Sequence, residues 1–335
     1  MHSILSVTVP FFALVLCGYW ATRRGVLPEA AIPGLNVYVL FFALPCLLFK
    51  FGASMPFSKL IDPTLMAIYV VCAMVMVFVT IATTLKSADD RYGIDLKNSA
   101  FGALVAAFPN TGFMGVPLLV ALLGDAAAGP VIGTVLIDLV LTSTFCIALA
   151  QSQEQFSPSE SEPSSMRSSA LRSLRGALTN PLPWAIGLGA LVAATQLRLP
   201  GPVNQVIQML ADSASPVALF TIGAVLARAA EAGQRTGVKT PVVQYLPVAL
   251  LKLFVHPLLV LSVGVIAKAL GAPVSAFGLT VLVLAAALPS ASNVSLLAER
   301  YGADNGRIAR IIMASTVMAF VSFSLLAWVL GAKPH

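Results

Sequence analysis

Long apolar stretches alternate with short polar ones along the whole chain. Ten of the apolar stretches approach or exceed the length of a membrane-crossing helix, about 20 residues. They predict helices over Ser3 to Ala21, Ile32 to Phe51, Thr64 to Leu85, Asn98 to Leu123, Gly129 to Ala150, Pro181 to Leu197, Val203 to Ala227, Pro247 to Leu270, Ala276 to Glu299 and Arg310 to Leu330. The longest polar connection, residues 151–180, is rich in Ser, Glu, Pro and Arg and has no apolar periodicity. It reads as a flexible cytoplasmic linker between a first five-helix unit, residues 1–150, and a second, residues 181–335.

Two of the predicted helices are interrupted. The fourth contains Phe108-Pro109-Asn110-Thr111-Gly112 and the ninth contains Leu288-Pro289-Ser290-Ala291-Ser292-Asn293. A proline inside a helix removes a backbone hydrogen bond and clashes with the preceding turn. At membrane depth such a break survives only where protein buries it or where it lines a cavity. Breaks at corresponding positions of two halves point to a transporter's binding site.

Landmarks recur in the same order in both halves. Pro45 and Pro216 lie midway along the second and seventh helices, where they suggest a kink or a cavity wall. Ala100-Phe101-Gly102 and Ala276-Phe277-Gly278 open the fourth and ninth. Val116 to Gly124 and Val294 to Gly302 follow the two breaks at equal spacing. Five helices is an odd number, so the second half enters the membrane from the opposite side, as an inverted repeat.

Composition sharpens this picture. The chain is 58% hydrophobic and 10% charged, whereas soluble domains carry about 25% charged residues. The first helix is not a signal peptide, because its basic pair Arg23-Arg24 follows the apolar run. All four cysteines fall in apolar spans and form neither a disulfide framework nor a zinc spacing. Fourteen of the twenty Lys and Arg fall on one side of the predicted membrane and five on the other, with Lys252 inside a span. That bias puts the first set in the cytoplasm and both termini outside. It also accounts for the net charge of +6 without a nucleic-acid partner.

Each half-helix that begins after a break offers unpaired N–H groups and a positive dipole end, a setting that binds anions. Asn110, Thr111, Ser290, Ser292 and Asn293 add polar side chains beside Pro109 and Pro289. The competing reading is that these side chains only satisfy carbonyls freed by the prolines. Asp138, Lys252 and His256 are ionisable residues inside spans, candidates for carrying a coupled proton or balancing substrate charge. Structural roles compete with these: a hydrogen bond pinning Asp138 to a neighbouring helix, and snorkelling of Lys252 to the interface. Asp212 divides between ligand or proton contact and a solvated acid. No histidine-based triad, HExxH, Gly-x-Ser-x-Gly or Walker sequence is present, so neither an enzyme nor an ATP-driven pump is expected, and no metal or cofactor.

The Phe108 to Pro117 string, the Leu288 to Gly302 segment and the Pro216 to Gly223 stretch resemble the auxin efflux carrier family, whose bacterial members include malate and malonate permeases. The resemblance implies an all-α bundle of ten helices in two inverted repeats, with helices four and nine crossing at their breaks, as in bile-acid symporter-like and sodium/proton antiporter-like folds. It also implies a scaffold of helices one, two, six and seven, with the other six moving as an elevator. Pro109, Asn110, Pro289 and Asn293 are the crossover contacts carried over. The expected protein is a secondary transporter of small carboxylates in a bacterial inner membrane. A sodium-coupled symporter, a cation/proton antiporter and an anion-sensing receptor remain as alternatives, and the coupling ion, proton or sodium, and a homodimer stay open.

Overall fold

The computed structural model describes residues 2–55, 61–85, 94–152, 181–235 and 240–332. The described residues are helical, with only two isolated bridges, Leu85 with Ile94 and Pro109 with Ser290. In chain order the helices are α1 His2–Arg23, α2 Glu29–Ser54, α3 Pro63–Thr84, α4 Leu96–Ala107, α5 Thr111–Leu123, α6 Asp125–Ser152 and α7 Pro181–Thr195. They continue with α8 Gly201–Arg235, α9 Leu246–Ala269, α10 Ala276–Ala286, α11 Asn293–Arg300 and α12 Asn305–Val329. Seven of them, α1, α2, α3, α6, α8, α9 and α12, are long and apolar enough to cross a membrane alone. The fourth predicted helix is divided into α4 and α5, and the ninth into α10 and α11. Apart from Gln151 and Ser152, the linker lies outside the described residues.

Local chemistry sets the helix starts. Asp62 caps α3, accepting from the backbone N–H groups of Thr64 and Leu65, and Ser275 caps α10 through Gly278 N at 3.0 Å. Asp304 caps α12 through Arg307 N at 2.9 Å. Each supplies an acceptor for N–H groups that the helix leaves unpaired. Gly124 ends α5 at φ 83°, a conformation that glycine adopts without strain.

Among the described residues four π turns occur: Val39–Ala43 within α2, Thr111–Gly115 at the start of α5, Asp138–Thr142 within α6 and Leu251–Val255 within α9. Three of them lead directly into Leu44-Pro45, Val116-Pro117 and His256-Pro257. A π turn spaces out the ladder just where proline has no N–H to give, so the helix continues. The helix therefore runs on through Pro45. Pro216 does not break its helix either: α8 runs unbroken through it, with the ring on an exposed face where it meets little.

α1 packs along α8, and α2 along α7, at two close crossings. A β-carbon on Gly18 of α1 would fall on the carbonyl oxygen of Phe220, and one on Gly223 of α8 on that of Val15. A β-carbon on Gly52 of α2 would meet Ile186 O at 2.9 Å, and one on Gly189 of α7 would meet Phe49 O. Gly18 and Gly189 stand the same number of positions apart as Gly52 and Gly223, and as Pro45 and Pro216. The remaining helices form a second group, with α3 against α4, α4 against α6 and α9 against α10, which meets α1 and α8 through α5 and α12. Within it every residue from Ser99 to Asn110 and from Val281 to Ala291 is buried.

The last helix begins at Asn305, earlier than the expected Arg310, because Arg307 is not a loop cation. It is 2% exposed and donates through Nε to Gln244 O and through a terminal nitrogen to Asn98 O. Its guanidinium lies over Gly102, where any side chain would collide with it. The start of α4, the approach to α9 and the start of α12 are joined by this one residue.

Candidate functional site

The two breaks meet. Asn110 N donates to Pro289 O at 2.8 Å and Ala291 N donates to Phe108 O at 3.0 Å, pairing Pro109 and Ser290 as a short antiparallel bridge. Backbone groups that the prolines set free at depth are thus satisfied by the backbone of the opposite break, which makes the irregular chain tolerable away from water. Ser290 N in turn donates to Ser315 Oγ of α12 at 3.2 Å. Two further bonds fix the first turn of α5: Met114 N and Gly115 N both donate to Asn110 O.

Because backbone pairs with backbone, the side chains are released from that duty. Asn110 Oδ1, Ser290 Oγ and Asn293 Oδ1 are buried and have no hydrogen-bond partner. Thr111 is fully buried, and its hydroxyl reaches only Pro109 O, at the limit of 3.5 Å. The reading in which the polar side chains serve only to satisfy freed carbonyls does not describe this arrangement. At Gly112, in the same break, nothing lies within 4 Å of the position a β-carbon would take. Gly112, Ser292 and Asn293 are partly exposed, whereas Asn110, Thr111 and Ser290 are buried. Thr111 N, Val294 N and Ser295 N turn back onto Pro109 O, Ala291 O and Ser292 O, so at the starts of α5 and α11 the N–H groups of Gly112, Phe113 and Asn293 are the ones left without a backbone acceptor.

A second polar cluster lies in the same helix group. Asp138, on the π turn of α6, accepts from the hydroxyl of Tyr69 in α3 at 2.8 Å and from that of Thr142 at 3.0 Å. Lys252, on the π turn of α9, donates to Ala286 O at 2.6 Å and approaches His256 Nδ1 at 3.1 Å. The rings of Tyr69 and His256 lie 5.9 Å apart, tilted by 37°. Asp138, Lys252, His256 and Tyr69 are all fully buried. The competing reading of Lys252, snorkelling to the interface, is therefore not found. The hydrogen bond pinning Asp138 to a neighbouring helix is present.

Asp212 belongs to neither place. It is exposed on α8 and pairs with Lys50 of α2 at 3.2 Å. Pro45 and Pro216 lie on α2 and α8, outside the crossover group. Tyr69 and Arg307 were not singled out from the sequence. The signal for Tyr69 was a hydroxyl in the middle of an apolar span, which needs a partner when buried.

Discontinuous helices that meet end to end inside a polytopic helical bundle are the architecture of secondary transporters. A family model described as "Membrane transport protein" matches residues 3–327. The chain belongs to that family, the auxin efflux carriers, and is a membrane transporter rather than an enzyme. It is 26% identical over 337 residues to a Rhizobium meliloti (strain 1021) protein named "Putative malonate transporter", covering 100% of this chain and 98% of the relative. The Escherichia coli (strain K12) protein named "Uncharacterized transporter YfdV" is 26% identical over 93% of each chain. Auxin efflux carrier component 2 of Arabidopsis thaliana is 28% identical over 153 residues, 44% of this chain and 22% of the plant protein.

Proposed function

We propose that the chain is a secondary transporter of small organic anions, mono- or dicarboxylates of about malonate size, working in a bacterial inner membrane with both termini on the non-cytoplasmic side. The observation that carries this reading is the pair of helix starts at the crossover, where the N–H groups of Gly112, Phe113 and Asn293 have no backbone acceptor and lie near in sequence to the Ser290 hydroxyl and the Asn110 and Asn293 amides, whose oxygens the protein leaves unpartnered. A carboxylate is held there by N–H groups and by asparagine amides, each of which offers a donor and an acceptor on one fork. The bacterial relative named for malonate supports the substrate class.

In this reading α4 with α5, and α10 with α11, each make one broken crossing, which gives ten crossings in two inverted halves divided at the linker. The reciprocal glycine crossings of α1 with α8 and α2 with α7 support such a repeat. α1, α2, α7 and α8 act as the scaffold. The crossover group shifts past them as a rigid body and opens the site to alternate faces.

The test is a thermal-shift screen of mono- and dicarboxylates on purified protein, followed by uptake of the best hit into proteoliposomes. Stabilisation that rises with ligand concentration, together with uptake, is the expected result. Binding without uptake would turn the reading to a receptor, and no response to any carboxylate would remove it. The unpartnered acceptor oxygens of both asparagines and Ser290 also favour a second reading, in which a sodium ion shares the crossover. Uptake that stops when sodium is replaced by potassium would select that version.

A further inference from the structure

The buried cluster of α3, α6 and α9 lies apart from the unpartnered side chains of the crossover, yet it reaches the crossover. Ala286, the carbonyl held by Lys252, is the last residue of α10 and stands three positions before Pro289. A helix carboxyl end is negative, and the Lys252 ammonium covers it. If the ammonium donates to His256 Nδ1, that nitrogen must be the acceptor. The imidazole is then neutral with its proton on Nε2, and Nε2 has no partner. Both oxygens of Asp138 are occupied, by Tyr69 and Thr142.

The other titratable groups facing the cluster are the thiols of Cys72 on α3 and Cys146 on α6, and α10 contributes none. A narrow cleft between α3 and α6, lined by Asp62, Tyr69, Gly129, Gly133 and Ile137 among others, has about 10 Å³ of room. That is about one water molecule. Asp62 caps α3 and Gly129 lies in the first turns of α6, so the cleft lies toward the ends where these helices begin, with Tyr69 among its lining residues.

We propose that Asp138 is the proton site that couples transport to a proton gradient, and that its protonation acts on the anion through Lys252. The inference rests on the carboxylate reading of the crossover. With Asp138 ionised, its charge offsets that of Lys252, and an anion at the crossover would leave the low-dielectric interior with an unbalanced charge. When Asp138 takes a proton from the bulk it becomes a neutral acid. The Lys252 charge then lacks a counterion, and the carboxylate supplies it. For a singly charged anion, a monocarboxylate or the monoanion of malonate, the states with neither ligand or with both are the balanced ones, because an unpaired charge away from water is costly. Proton and anion therefore enter together and leave together, the proton returning to bulk water on the other face with no bond of the substrate changed. By linkage the effect is reciprocal: the anion raises proton affinity as much as the proton raises anion affinity.

The experiment uses full-length protein in proteoliposomes with labelled malonate. Two readouts are taken: counterflow against internal unlabelled malonate, and net accumulation driven by an inward proton gradient. The unaltered protein is expected to show both. Asp138→Asn, which still accepts from Tyr69, is expected to keep counterflow and to lose gradient-driven accumulation by about tenfold or more. Lys252→Met is expected to lose both. Accumulation that persists in Asp138→Asn would overturn the proton site while leaving the carboxylate reading intact. Failure of counterflow in the unaltered protein would remove the reading itself. The coupling can also be measured without variants: malonate entering vesicles with no imposed gradient should acidify a trapped pH dye, and uptake without acidification would overturn it.

Discussion

Replacing Gly18 with Leu is expected to leave little folded protein. The β-carbon alone would fall on the Phe220 carbonyl oxygen, and Gly223, a few residues along α8, is pressed against α1 in the same way. Backbone cannot swing aside as a flexible side chain can, so α1 and α8 must separate along the crossing. Overpacking of a tight interior costs about 1–3 kcal/mol and occasionally more, and the clash here is with main chain. Close approach at small residues is also what holds membrane helices together, since lipid offers no hydrophobic drive between them. The check is the monodisperse fraction and melting midpoint of purified Gly18→Leu beside Gly34→Leu, a glycine with open space around it. Gly34→Leu should behave as the unaltered protein does. Equal behaviour of the two variants would mean that the α1 and α8 crossing is not as close as described.

The second large effect is on binding, with the fold kept. Asn110→Ala and Asn293→Ala each remove an amide whose oxygen has no partner in the protein, while the backbone bond from Asn110 N to Pro289 O remains. The melting temperature without ligand should therefore change little. A hydrogen bond to a charged group contributes about 1.5–3 kcal/mol, so each variant should weaken carboxylate affinity by about ten- to a hundredfold. Equilibrium binding on detergent-purified protein reads this directly. A large drop in stability with affinity unchanged would show that the amides serve the fold instead.

The sequence made these experiments conceivable because the breaks are chemically conspicuous. Pro109-Asn110-Thr111-Gly112 and Pro289-Ser290 interrupt apolar runs in which any polar atom is expensive, so their positions could be read with no structure. What satisfies them could not. The bridge between Pro109 and Ser290 joins positions far apart in the chain through main-chain atoms, and main-chain pairing leaves no side-chain signature.

Lys252 shows the same division. Its burial cost marked it as unusual, but its partner was not legible, because a backbone carbonyl at the end of α10 does not appear as a charge. Arg307 was counted with the cytoplasmic cations, since charge near a predicted helix end looks solvated until the neighbouring carbonyls of Gln244 and Asn98 are placed around it. At Pro216 the reverse happened. A residue that often signals a break lies on an open face of α8, where the helix tolerates it.

The central claim is that an anion binds where the two breaks meet. Amide hydrogen exchange of the purified protein, with and without a saturating carboxylate chosen by thermal shift, tests it most directly. The expected result is slowed exchange at Gly112 and Phe113 and at Asn293, at the starts of α5 and α11 together, with little change in α1, α2, α7 and α8. Saturated binding that protects amides elsewhere and leaves both helix starts unchanged would contradict it.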